Sequence, residues 1–542
     1  MNEHKVDVNN DIVVEKKEEK KKFNWKIPVI IFVVLILIVV AFIFKDKIFK
    51  KENPKKVEPV KVTSPYRMSS NSLEKFDLSF LQLENKEENT VYSPLSIKYA
   101  LSMLKDGSSE NTYNEINAVV GDYKSKKYTN NSNMSFANAM FIRDTFKSSI
   151  NEKYTSKLNN NYNAEIIYDK FENASTMNKW LSDKTFNLIN NLFDDNVVKK
   201  EDFIITNALA IDMQWKNLIQ PNGSIKFKND DEKYNKGYNV RYSHEKYYDY
   251  VEDLCCSDYS SLKFNNKINS KSVQIGASIN NYDIVKTLGE DNIRKTVGEE
   301  YRKWLESEEA QLDLKYNPSS VETDVDKFLD KYVEELNSNY KRLDASTDFM
   351  LYDDESVKVF AKDLKKYGDT TLQYVGIMPK TTNLSEYIKN IDSKSLNDII
   401  NNLKEVKTEN FKEGVVTKIK GSLPLFKFEY SLDLMNDLNK LGIKDVFDST
   451  KSNLSKMTSS KAYIGDASHK ATIEFSNEGI KAAAATELGG LGAANGGFEY
   501  LYEVPVEEID LTFDNPYLFL IRDKDSGEVW FVGSVYEPIE KV

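Results

Sequence analysis

The sequence predicts an α+β protein behind a single N-terminal transmembrane helix. The first observation is an uncharged apolar run of eighteen residues, 27–44 (IPVIIFVVLILIVVAFIF). The second is a change of pattern at about Asn71. From there Leu73, Phe76, Phe80 and Leu83 fall at helical spacing, and a short β-rich stretch then runs into another helix over 89–104. The third is composition: 40% hydrophobic and 29% charged residues suit a large buried core. By length alone, 542 residues would suit two to four domains.

Composition also removes function classes. The 85 acidic against 74 basic residues leave a net charge of −11, which argues against a nucleic-acid-binding surface. Twelve prolines and 21 glycines exclude a collagen-like or low-complexity chain. Two cysteines, Cys255 and Cys256, exclude a disulfide framework and a zinc-finger site. The three histidines, at 4, 244 and 469, are too dispersed for a local ligand cluster, and no HExxH occurs. No metal, cofactor or catalytic residue is expected, and the chain is read as a non-enzyme.

The elements follow in order. Residues 1–26 are polar and charged and read as a short disordered cytoplasmic tail. At 1.5 Å per residue the run 27–44 spans about 27 Å, just enough for a bilayer core. Trp25 and Lys26 stand where an aromatic and a cationic anchor belong. The run exceeds a usual signal-peptide core and no small-x-small cleavage site follows, so an uncleaved anchor is expected. Seven lysines precede it and seven follow within 45–62, so charge does not orient it. A signal-anchor near the start normally sends the long downstream part across. The expected location is therefore the cell membrane, single-pass, with the N-terminus cytoplasmic and the globular part extracellular. Residues 45–70 read as a flexible tether.

The globular part carries a resemblance. NTVYSPLSIKYALSML (89–104) resembles the second helix of a serpin with its Ser-Pro lead-in. SFANAMFIRDTF (135–146), NKWLSDKTFNLINNLF (178–193) and FIITNALAIDMQWKN (203–217) are similar to successive serpin segments, with Phe186-Asn187 replacing the family's Asn-Gly. TLQYVGIMPK (371–380) and LPLFKFEYSLDLMNDLNKLGIKDVF (423–447) follow in the family's order. AYIGDASHKATIEFSNEGIKAAAATE (462–487) resembles the last long strand and the reactive-loop hinge, and LTFDNPYLFLIRDKDSGEVWFVGSVYEP (511–538) the closing strands. The resemblance implies one large domain over 71–542: mixed β-sheets, surrounding helices and an exposed reactive-centre loop at about 477–510. An insertion of about a hundred residues, roughly 245–345, interrupts it, with helical spacing at 290–311 and 323–340. Cys255-Cys256 lies there, either as a stray thiol pair or as a strained vicinal disulfide.

Without the family, EGIKAAAATELGGLGAANGG (478–497) reads most simply as a short capped helix, and a phosphate cradle is disfavoured because the final glycine and a strand–helix frame are missing. The resemblance asks more of it, namely that the cut loop slide into a sheet as a new strand. Side chains of a strand alternate, so Ile480, Ala482, Ala484, Thr486 and Leu488 would face inward. Lys481, Ala483, Ala485, Glu487 and Gly489 would face outward, so both charges avoid burial. The hinge is thus Gly479 to Thr486, an inhibitory pattern by resemblance. It departs from the family at Ile480, where Thr or Ser is usual, and at Asn477, where Glu is common.

Counting from Gly479 puts the scissile bond at Ala493-Ala494, suited to an elastase-like or subtilisin-like protease; counting back from Phe513 lands near Pro505. The counts differ because the loop is about a dozen residues longer than usual, and Leu491, Tyr500 and Tyr502 are competing specificity residues. The resemblance further assigns sheet-opening or structural roles to Ser93, Ser96, Asn207, Trp215 and His469. The function it implies is irreversible suicide inhibition of serine, or papain-like cysteine, endopeptidases. The Asn/Lys-rich composition and the short N-terminal anchor suggest a bacterial protein, expected to be a monomer with no nucleic-acid partner. The alternative is a non-inhibitory binding or scaffold protein of the same fold, with an exported hydrolase a distant third.

Overall fold

The chain enters its core at helix α1 (Lys75–Leu83), whose Phe76 and Phe80 rings meet edge to face at 5.4 Å. The computed structural model describes residues 64–70, 72–219, 260–480 and 498–539, and the backbone of three strands at 223–225, 241–246 and 254–256. The tail 1–26, the apolar run 27–44, most of the tether, hinge residues Lys481 to Thr486, and Leu491, Ala493 and Ala494 lie outside the described residues. Among the described residues no helix is long and apolar enough to cross a membrane.

Strand β1 (Thr90–Tyr92) leads into α2 (Pro94–Gly107). The Ser93 hydroxyl caps this helix by accepting the Ser96 N–H at 3.1 Å, and Pro94 holds the first helical position, where its missing N–H is not needed. Helix α3 (Glu110–Val120), strand β2 (Met134–Arg143), helix α4 (Glu152–Tyr162), strand β3 (Ala164–Asp169) and helix α5 (Ser175–Lys184) follow. A short α6 (Asp195–Val198) precedes β4 (Phe203–Ile211) and β5 (Met213–Gln214).

Then come β6 (Gly223–Ile225), β7 (Arg241–Lys246), β8 (Leu254–Cys256), β9 (Ser260–Phe264) and β10 (Ile268–Asn280). Helices α7 (Ile284–Leu288), α8 (Glu290–Leu305), α9 (Glu308–Tyr316) and α10 (Val325–Asn339) occupy the next stretch. Strands β11 (Arg342–Ala345), β12 (Met350–Asp353), β13 (Val357–Asp363) and β14 (Leu372–Pro379) precede α11 (Leu384–Asn390), α12 (Ser393–Asn401) and β15 (Lys404–Glu405). The chain finishes through β16 (Val416–Pro424), β17 (Phe426–Asp433), α13 (Leu434–Lys440), β18 (Ser468–Phe475), β19 (Gly479–Ile480), β20 (Glu503–Asp510), β21 (Tyr517–Asp523) and β22 (Val529–Val535).

Among the described residues a seven-stranded sheet runs β1-β22-β21-β14-β13-β12-β15. Every residue of β14 and β22 is buried, the pattern of strands covered on both faces. A second sheet runs β11-β10-β16-β20-β7, with β9 also on β10. The outer parts of 245–345 therefore belong to this sheet, and the segments with helical spacing form α8, α9 and α10 between β10 and β11. Both cysteines fall in β8, whose backbone pairs with β6. Under α1 and α2 a buried ion pair joins Lys98 Nζ to Asp77 at 2.7 Å, both side chains fully excluded from solvent.

Candidate functional site: a seam in the central sheet

The remaining long strands form two separate pieces, β3-β2-β4 and β17-β18. Strand β4 pairs with β2 on one edge, and β18 with β17 on one edge. Their other edges face each other across a cleft and share no ladder among the described residues. Residues 203–206 line the cleft with 466–468, 205–209 with 468–471, and 209–211 with 472–474, so the two strands run side by side in one direction. The middle portion is a narrow gap, also lined by Ser93, Ser96 and Leu434.

The cleft has a floor and a roof. Leu209 and Ile211 belong to the main core, which also holds Phe531 and Ile521 beneath them. On the opposite face Ala137, Ala139 and Ala208 pack under Trp180, Leu181 and Ile189, so α5 and the segment after it overlie the sheet. Small alanines on that face let the covering segment sit close. Two buried polar atoms along the cleft, Asn207 Oδ1 and Thr472 Oγ1, have no hydrogen-bond partner among the described residues. Such orphans are rare in native cores and call for an explanation.

One end of the seam is closed. Trp215, fully buried, donates its backbone N–H to Glu478 O and its indole N–H to Ser476 O, both at 2.9 Å. Its ring meets Tyr374 and Phe475 at 6.1 and 5.5 Å. Just beyond, the chain turns back and β19 pairs antiparallel with β5, setting Gly479 opposite Gln214 and Ile480 opposite Met213. Only glycine fits at 479, because a Cβ there would lie 2.4 Å from the Met213 carbonyl oxygen. Gly479 and Ile480, the first two residues of the expected hinge, are thus seated on β5 at this end of the seam.

His469 is the second residue of β18 and lines the cleft with Ser93, Ser96 and Asn207. Its Nε2 accepts the Ser93 backbone N–H at 2.9 Å. That N–H belongs to the cap residue of α2 and has no place in the helical ladder, so the imidazole supplies the acceptor it lacks. Burial pushes this imidazole down to about 4, so it is neutral and able to accept. Asn207 donates its amide to Asn138 Oδ1 at 2.7 Å, which ties β4 to β2 and leaves its own carbonyl oxygen toward the seam unpaired. The structure therefore brings Ser93, Ser96, Asn207 and His469 together, while Trp215 stands apart at the closed end.

Tyr500 and Tyr502 lie elsewhere. They pack with Phe498 against α7, α8 and α10, in one cluster with Val504 and Val506 of β20. Nothing in the local pattern of 498–502 signals this contact.

These features define a class: an α+β protein whose central sheet is parted between two parallel strands, with the chain after one of them turned back into the mouth of the gap. The chain belongs to the serpin family. The family description "Serpin (serine protease inhibitor)" matches residues 73–230 and 309–538. An uncharacterized serpin-like protein of Methanosarcina acetivorans is 23% identical over 500 residues, covering 87% of this chain and 86% of the relative. Serine protease inhibitor 88Ea of Drosophila melanogaster is 34% identical over 148 residues, which span 27% of this chain and 33% of that protein's length. Leukocyte elastase inhibitor A of Mus musculus is 31% identical over 226 residues, 39% of this chain and 55% of the relative. Among solved structures, the thermophilic serpin tengpin in its native state aligns with a TM-score of 0.53 at 18% identity, covering 88% of this chain and 97% of tengpin. Thyroxine-binding globulin in complex with thyroxine shares the fold at a TM-score of 0.52, 15% identity, 86% of this chain and 98% of its own.

Proposed function

We propose that the chain is a membrane-tethered suicide inhibitor of serine, or papain-like cysteine, endopeptidases, acting outside the cell. A protease cuts the loop once and is held through an acyl ester or thioester. The segment before the cut then enters the seam as a strand. The observation that carries this reading is the pair of unpaired edges on β4 and β18 with β19 already seated at their mouth.

Extending the β19–β5 register down β4 would place Ala482 opposite Ile211, Ala484 opposite Leu209, Thr486 opposite Asn207 and Leu488 opposite Ile205. These partners share the β4 face that packs on the main core, so the same five loop residues that alternation selects would face inward. Thr486 would bring a hydroxyl to the unpaired Asn207 Oδ1. Lys481 and Glu487 would fall on the outer face.

The register also bears on the bond. Gly490 would stand opposite Phe203, the first residue of β4. A cut at Ala493-Ala494 leaves three residues beyond that point, whereas one after Tyr500 leaves ten. The hinge-side count fits the length of the seam, and small residues there suit an elastase-like or subtilisin-like enzyme. The apolar run 27–44, the tether, and the expected N-terminal orientation support placement at the cell surface.

A second reading is a non-inhibitory binding protein of the same fold. It is favoured by Leu312 and Tyr316 on α9, which are 54% and 74% exposed. The test is incubation of the protein with elastase-like and subtilisin-like proteases. An SDS-resistant complex and a released fragment starting at Ala494 are expected. Cleavage without complex, and with no rise in thermal stability, selects the second reading.

A further inference from the structure

Helices α8 and α10 pack face to face. Gly298 of α8 meets Leu329 of α10 closely enough that a Cβ would lie 3.1 Å from Cδ1, and Arg294 reaches Asp330 at 2.8 Å. Between the two helices the buried Tyr301 and Phe328 rings stack at 3.5 Å, with Trp304 stacked on Tyr301 at 5.4 Å. Phe498 inserts edge-on into this group, its centroid 4.8 Å from Tyr301, 5.5 Å from Phe328 and 5.7 Å from Trp304. Two residues on, the Tyr500 carbonyl accepts the Tyr332 hydroxyl at 3.1 Å. Strand β20 follows at once, held between β16 on one edge and β7 on the other.

We propose that this aromatic face is a built-in docking surface for the C-terminal flank of the loop, and that Tyr301, Trp304, Phe328 and Tyr332 are positioning residues. They hold 498–502 so that the stretch offered to a protease is limited to 481–497, between Ile480 on β5 and Phe498 on the helices. The inference rests on reading 481–497 as the protease-facing segment. It accounts for part of the extra length of the loop: five residues, 498–502, are taken up on the helices. It also removes Tyr500 and Tyr502 as points of attack, because a protease must draw several residues on each side of a bond into extended form. Here those residues are committed to ring contacts, a carbonyl bond and a sheet.

Limited digestion of the full chain with chymotrypsin, mapped by mass, tests the proposal. In the unaltered protein, cuts after Phe498, Tyr500 and Tyr502 should be at least tenfold slower than the cut after Leu491. Phe498→Ser should speed cutting after Tyr500 and Tyr502 tenfold or more, and Phe498→Tyr should restore protection. Trp304→Ala, which leaves the loop sequence intact, should expose the same bonds. Equal cutting at Leu491 and Tyr500 in the unaltered protein, or unchanged protection in Phe498→Ser, overturns it. Because the readout requires no covalent complex, failure to inhibit any protease would sink the inhibitory reading and leave this one standing.

Discussion

The Ser93–His469 bond makes acid a specific perturbation of the seam. His469 accepts from Ser93 only while its Nε2 is unprotonated, and burial lowers its proton affinity from an ordinary 6.5 to about 4. At 1.36 kcal/mol per tenfold, that gap corresponds to about 3 kcal/mol. The sign follows from linkage: the unfolded chain takes up the proton first, so stability falls as pH drops through 6.5 and levels off below about 4. Above pH 7 the group contributes no pH dependence. His469→Gln is the matched variant, since Oε1 can accept the Ser93 N–H without titrating. Urea unfolding of both proteins from pH 7.5 to 4 should show the parent losing about 3 kcal/mol more than the variant. Parallel curves, or a His469 titration by NMR near 6.5, would refute the reasoning.

Three further outcomes are expected. Gly479→Ala would drive a Cβ to 2.4 Å from the Met213 oxygen, so the hinge should lift off β5 and exchange of the Trp215 amide should rise at least tenfold by hydrogen–deuterium mass spectrometry; unchanged exchange would show that the mouth is not held by this contact. Lys98→Met leaves the buried Asp77 carboxyl without its cation and should cost about 3–5 kcal/mol in denaturant unfolding, whereas pairing it with Asp77→Leu should recover most of the loss. Thr486→Arg would set a charge on the inward face opposite Asn207 at a cost of several kcal/mol, so target proteases should cleave this variant without forming an SDS-resistant complex; a normal yield of complex would contradict the register.

Much of the fold and part of the site are legible in the sequence. The Ser93-Pro94 start of α2 is a local signal, because cap and proline act within one turn. The two helical segments between 290 and 340 announce themselves by periodicity, and both fold as helices. The alternation of 480–488 is likewise local. The boundaries of 245–345 are less visible. Strands β10 and β11, which flank its helices, join the six-stranded sheet through pairings that no local pattern encodes.

By itself the sequence determined what depends on near neighbours: where helices begin, which face of a segment is apolar, and which loop residues a strand could bury. Tertiary structure alone decided that β4 and β18 each keep one edge without a ladder among the described residues, that His469 meets the N–H of Ser93, and that Phe498 packs edge-on against the Tyr301–Phe328 stack. The physical reason is separation along the chain. Ser93 and His469 lie 376 residues apart, and a contact of that span depends on how all the intervening elements pack, leaving no local trace at either end.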